Sequence, residues 1–95
     1  MIITGNRFEA SLSPNKKFVD IKDRKHTGIL TVLTLANIQE LKDGVDHLLA
    51  RETFKPFDLK HPHHGKRNRI SGLNEEDARE LVELLDKLEQ TMVQI

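Results

Sequence analysis

The stretch Phe54 to Arg69 gathers Lys55, Lys60, Lys66, Arg67 and Arg69 with His61, His63 and His64, three of the five histidines in the chain, around Pro56, Pro62 and Gly65. It has no helical or strand periodicity and lies between two strongly periodic segments. Guanidinium groups bind phosphate through paired donors and ammonium groups act as mobile point charges, while Gly65 allows close backbone approach and Asn68 adds donors. Lys60, His63, His64, Lys66, Arg67 and Arg69 are therefore the first candidate contacts for nucleic acid or another polyanion. Lys16, Lys17, Lys22, Arg24 and Lys25 form a second basic cluster, with Phe18 outward among them. An exposed ring on a basic sheet face can stack a base, at roughly 1–3 kcal/mol per base. The alternative is that Phe18 packs beneath the Phe54 to Phe57 segment. With no Tyr and no Trp, a platform for several bases is poorly supplied.

Imidazole suits zinc, nickel and copper, so His61, His63 and His64 are metal candidates, with His26, His47 or a carboxylate as further ligands. No second ligand pair stands at a recognisable spacing, and cysteine is absent. The expectation is no metal and no cofactor. Asp43 and His47 are four apart on one helix face, one turn after Glu40, and read as a surface ion pair. A histidine–metal nuclease finger needs a further histidine downstream, and none follows His64. There is no nucleophile elbow, Walker loop or dinucleotide fingerprint. The expectation is a protein that binds rather than catalyses.

With 95 residues, 37% of them hydrophobic, the chain has apolar groups for one core. At this size a domain buries roughly 60–65% of the surface its unfolded chain exposes. Charged residues make up 32%, but the apolar ones fall in periodic clusters, which argues for a folded chain. No apolar run reaches the roughly 18 residues that a membrane span requires, and the start lacks the pattern of a secretory signal. A soluble cytoplasmic protein with no membrane partner is expected. The zero net charge conceals segregation: +3 over residues 1–34, −2 over 35–53, +4 over 54–72 and −5 over 73–95. The blocks can steer a charged partner or pair with each other.

The elements that would carry these groups are legible from periodicity. Residues 7–12 alternate, placing Phe8, Ala10 and Leu12 on one strand face, and residues 17–22 put Val19 and Ile21 inward with Phe18, Asp20 and Lys22 outward. Ile29 to Leu33 is apolar on both sides, as expected of a doubly covered strand. Short links favour an antiparallel meander. Thr34 caps a helix over 35–51, whose stripe is Leu35, Ile38, Leu41, Val45 and Leu48 with Leu49 beside it. Gly44 beside this stripe suggests close approach of another element, or is simply tolerated. Asn74 caps a helix over 75–93 with Glu75, Glu76 and Asp77 in its first turn. Ala78, Leu81, Leu85, Leu88 and Met92 form its stripe, and Val82 and Leu84 widen it. A face that broad can join the core or pair with a second copy, so Leu81, Leu84, Leu85, Leu88 and Met92 are the candidate protein interface.

The helical segments align at an offset of 40, matching Leu33/Leu73, Glu40/Glu80, Leu41/Leu81, Asp46/Asp86 and Leu48/Leu88. We read the match as the shared pattern of two capped amphipathic helices, with Arg69-Ile70-Ser71 as a short strand feeding the second. Residues 16–49 also resemble in outline the positive-cofactor type of single-stranded-DNA-binding domain, through Lys17 to Asp23 and Leu33-Thr34. The likeness covers about a third of the chain and carries no diagnostic motif, and such domains use more sheet than precedes this helix. The fold expected is α+β, a small antiparallel sheet of three or four strands within about residues 2–33 and two amphipathic helices. The function expected is a binding or regulatory module that contacts a macromolecule, such as nucleic acid, through the 54–69 loop. The alternative is a homodimeric interaction or inhibitor protein of bacterial or phage accessory type, using the second helix. A metal-dependent enzyme is a third reading.

Overall fold

A computed structural model describes residues 1–63 and 68–93. Strands β1 (Ile2–Thr4), β2 (Phe8–Leu12), β3 (Val19–Asp23) and β4 (Ile29–Leu33) form an antiparallel meander in chain order. Helix α1 (Leu35–Leu49) follows, then the antiparallel pair β5 (Phe57–Lys60) and β6 (Arg69–Leu73), then helix α2 (Glu75–Val93). This is the expected α+β arrangement. Strand β5 is a correction, because Phe57–Lys60, within the segment read as a loop, pairs with β6. No helix among the described residues is long and apolar enough to cross a membrane.

The rows across the meander follow from alternation. Ile3, Ala10, Ile21 and Leu30 share one row and face inward, and Thr4, Glu9, Lys22 and Ile29 share the next, on the open face. Strand β4 is not doubly covered. Ile29 and Val32 are 41% and 60% exposed, while Leu30 and Leu33, three residues apart, are both buried. A strand with a period of two cannot bury both positions unless it gains a residue. That residue is Val32, at φ +55, whose backbone N–H donates to Asp20 Oδ1 at 2.9 Å. Left-handed backbone is disfavoured for a β-branched residue, by about 1–2 kcal/mol. Val32→Gly should therefore raise stability by about 0.5–1 kcal/mol after the extra unfolded-state freedom of glycine is subtracted. An unchanged or lowered urea midpoint would contradict this.

The second hairpin repeats the construction. Phe57 and Leu59 stand opposite Leu73 and Ile70 across a bulge, Gly72 adopts φ +68, and its N–H donates to Asp58 Oδ1 at 3.0 Å. Glycine supplies that conformation without a steric penalty. The first strands read Val-Asp-Ile-Lys at 19–22 and Phe-Asp-Leu-Lys at 57–60. The two turns close in the same way, Asp23 N–H donating to the Gly28 carbonyl and His61 N–H to the Asn68 carbonyl, each at 2.9 Å. Both helices then start with reciprocal caps, Thr34 with Asn37 and Asn74 with Asp77. The offset of 40 is thus more than a coincidence of helix patterns. The chain contains two hairpin–helix units with equivalent core positions at Leu30/Ile70, Leu33/Leu73, Ile38/Ala78, Leu41/Leu81 and Val45/Leu85.

One continuous core lies between the inner faces of the strands and the facing sides of α1 and α2. Leu81, Leu84, Leu85, Leu88 and Met92 are between 0% and 5% exposed within it. This corrects their assignment as a protein interface: the wide stripe of α2 reaches α1, β2 and β6 at once and leaves these side chains no surface to offer a second copy. Gly44 is not a point of close approach either, since a Cβ there would meet no atom within 4 Å. Gly44→Ala should stabilise α1 by about 0.5–1 kcal/mol, read as a higher urea midpoint at unchanged slope. A lower midpoint would mean that the glycine is needed.

A buried ion cluster ties the two units together. Arg7 is 2% exposed and uses all five guanidinium donors. Nε and Nη2 donate to the two carboxylate oxygens of Asp23 at 3.1 and 2.9 Å, Nη1 donates to Asp77 and to the Gly72 carbonyl at 2.6 and 2.9 Å, and Nη2 also reaches the Ser71 carbonyl. Burial pushes the Asp23 carboxyl up. The Arg7 donors and the backbone N–H groups of Lys25 and His26 outweigh that and hold it below its ordinary value of 3.8. The same hydrogen bond to Asp23 raises Arg7 further.

Candidate functional site

A groove of about 750 Å³ lies along the seam where β4 meets β6. His26, Thr27, Gly28, Ile29 and Thr31 form one wall, and Asn68, Arg69, Ser71 and Gly72 the other. Gly28 makes the approach possible, since a Cβ there would stand 2.6 Å from the Arg69 carbonyl oxygen and 2.9 Å from Ile70 Cα. The Thr31 hydroxyl donates to Asn68 Oδ1 at 3.3 Å, joining the walls by a bond between the units.

Charge on the groove comes from the hairpins behind each wall. Lys60 pairs directly with Arg69 across β5 and β6, and both are exposed, so the two cations share the open face. Like charges placed directly opposite destabilise a sheet. Neither has a carboxylate within 4.0 Å among the described residues. Lys22 occupies the position equivalent to Lys60, pairs with Ile29 of the groove wall, and forms no ion pair with its other neighbour, Glu9. Lys25 is exposed in the turn beside His26.

Other candidates are placed elsewhere. Lys16, Lys17 and Phe18 lie in the β2–β3 turn, with Phe18 four residues before Lys22, about 13 Å along the strand direction. Phe18 is 42% exposed and does not pack beneath the aromatic segment, where Phe54 and Phe57 instead meet edge to face at 5.9 Å. The second basic cluster is therefore divided between the two ends of the meander. Arg24 is committed to the Gly5 carbonyl at 2.7 Å. His61 is buried, and its Nδ1 accepts the His63 N–H at 3.1 Å, while the exposed His63 side chain stands 3.8 Å from Glu40. His47 lies outside this pair, and no group of three or more possible metal ligands forms among the described residues. His64, Lys66 and Arg67 fall outside the described residues.

Among the described residues, Lys60 and Arg69 form no ion pair with α2. Four of the seven acids of α2 are engaged elsewhere: Asp77 with Arg7, Asp86 with Lys42 at 2.7 Å, Glu75 with Arg79 at 2.9 Å, and Glu80 with the backbone N–H groups of Asn6 and Arg7. The hydrogen bond from Lys42 to Asp86 raises the lysine above its ordinary value. Sequence reading found Arg69, Lys60 and Asn68 but missed Thr31 and Ser71, which join the site only because of the bulges. The signal that would have exposed them is the Φ-Asp-Φ-Lys repeat at 19–22 and 57–60. No family model matches this chain, and no curated protein or solved structure matches it either.

Proposed function

We propose that the protein is a non-enzymatic module that binds the phosphate backbone of nucleic acid along the β4–β6 groove. The observation that carries this reading is the cross-strand pair of Lys60 and Arg69, two exposed cations set against each other beside the groove, with no carboxylate within 4.0 Å among the described residues to relieve them. A local arrangement that costs stability without an internal compensation points to an external partner. The Asn68 amide and the Ser71 hydroxyl add neutral donors of the kind that fix a backbone in register, and Lys22 and Lys25 extend the positive surface beyond the other wall.

Fluorescence anisotropy with labelled oligonucleotides across a salt series tests it. The logarithm of the affinity should fall linearly with that of the salt concentration, and Lys60→Ala with Arg69→Ala should flatten the slope by about 0.7–0.9 for each phosphate that is no longer neutralised. No binding to single or double strands, or binding indifferent to salt and to this double variant, would exclude the reading.

A further inference from the structure

The groove is built from the same positions of the two hairpin–helix units. Gly28 and Asn68, Ile29 and Arg69, and Thr31 and Ser71 are pairs at the offset of 40, and all six line it. Equivalent elements also meet each other, α1 on α2 and β4 on β6. An interface in which a surface meets its own equivalent has two-fold character. Equivalent positions of the two units thus face each other across the groove, Gly28, Ile29 and Thr31 on one wall and Asn68, Arg69 and Ser71 on the other, as in a two-fold arrangement.

Resting on the phosphate-backbone reading above, we infer that the ligand is a duplex, with each unit taking one of its two strands. The backbones of a duplex are antiparallel and related by two-fold axes perpendicular to the helix, so a two-fold protein surface meets both in the same way. A single strand has one backbone and no such axis. The scale agrees: Lys22 and Lys60 each stand one strand behind the groove walls, so two strand steps of about 4.8 Å plus the seam separate them by more than about 10 Å. The backbones bordering the major groove of B-form DNA are roughly 12 Å apart. Lys22 and Lys25 would contact one strand, and Lys60 and Arg69 the other.

The test compares two variants, Lys22→Ala/Lys25→Ala and Lys60→Ala/Arg69→Ala, on a duplex and on either of its single strands, with circular dichroism to verify the fold of each. Expected are duplex binding at least about tenfold tighter than single-strand binding, and losses of similar size, on the order of tenfold, from the two variants with equal reductions in salt slope. A single strand bound as tightly as the duplex, or an effect confined to one variant, would overturn the duplex assignment and leave the nucleic-acid reading standing. Absence of binding to every oligonucleotide would remove both.

Discussion

Arg7→Met lowers the unfolding free energy by about 3–5 kcal/mol, the expected consequence of removing one partner from a buried ion cluster. Methionine keeps much of the length of the arginine stem but provides none of the five donors, and it leaves the fully buried Asp23 carboxylate facing only the N–H groups of Lys25 and His26. Against a total of about 5–15 kcal/mol for a domain, this is a large share. Adding Asp23→Leu should recover part of the loss, because an apolar replacement of both partners removes the uncompensated charge. A urea series on the three variants decides it, and a loss below about 1 kcal/mol for Arg7→Met would show that the cluster is not what fixes the chain start to α2.

The pH dependence carries the same test. Asp23 is held below its ordinary 3.8 in the folded chain, so the stability it contributes is complete above that value and is lost as pH falls through the lower, folded one. In Arg7→Met the upward push of burial is no longer outweighed by the guanidinium, and protonation of Asp23 becomes favourable for folding. The stabilities of the wild type and the variant should therefore converge as the pH drops below about 4. Curves that stay parallel would mean that Asp23 is not the group responsible.

Leu88→Glu should leave most of the chain unfolded at 25 °C. Leu88 is fully buried in the core, where a carboxylate has no donor to meet it, and burying an unpaired charge is among the few single changes that remove several kcal/mol. Val93→Glu on the same helix provides the contrast, since Val93 is 58% exposed and a surface change of this kind stays within about 0.5 kcal/mol. Circular dichroism of the two variants separates the outcomes. A folded Leu88→Glu protein with altered mass by light scattering would restore α2 as an interface between chains.

Much of this fold was legible in the sequence because its helices obey local rules. Thr34 and Asn74 cap where their side chains predict, and the stripes bury Ile38, Leu41 and Val45 of α1, with Leu35, Leu48 and Leu49 half-buried, and Ala78, Leu81, Leu85, Leu88 and Met92 of α2. What escaped depends on long-range pairing. Strand β4 appeared covered on both faces because a bulge moves Leu33 to the inner face, and no periodicity signals a bulge without its partner strand. Strand β5 was hidden by Pro56 before it and the dense charge after it, although Phe-Asp-Leu-Lys alternates as well as Val-Asp-Ile-Lys does. The stripe of α2 was ambiguous because width alone does not say whether the facing surface belongs to the same chain. For the site, Lys60 and Arg69 were visible as charges, but only the register shows that they oppose each other. Arg7 offered no local signal, since its partners stand 16 to 70 positions away.

Those separations also set an order of events during synthesis. The sheet can form once β4 has left the ribosome, and Arg7 then meets Asp23, but Nη1 and one bond of Nη2 must wait for Ser71, Gly72 and Asp77. A nascent chain that ends before the second helix begins thus holds a guanidinium only partly satisfied just before β2. Closing loops of such length is slow compared with helix or hairpin formation. The arginine therefore acts as a latch that shuts only when Ser71, Gly72 and Asp77 arrive.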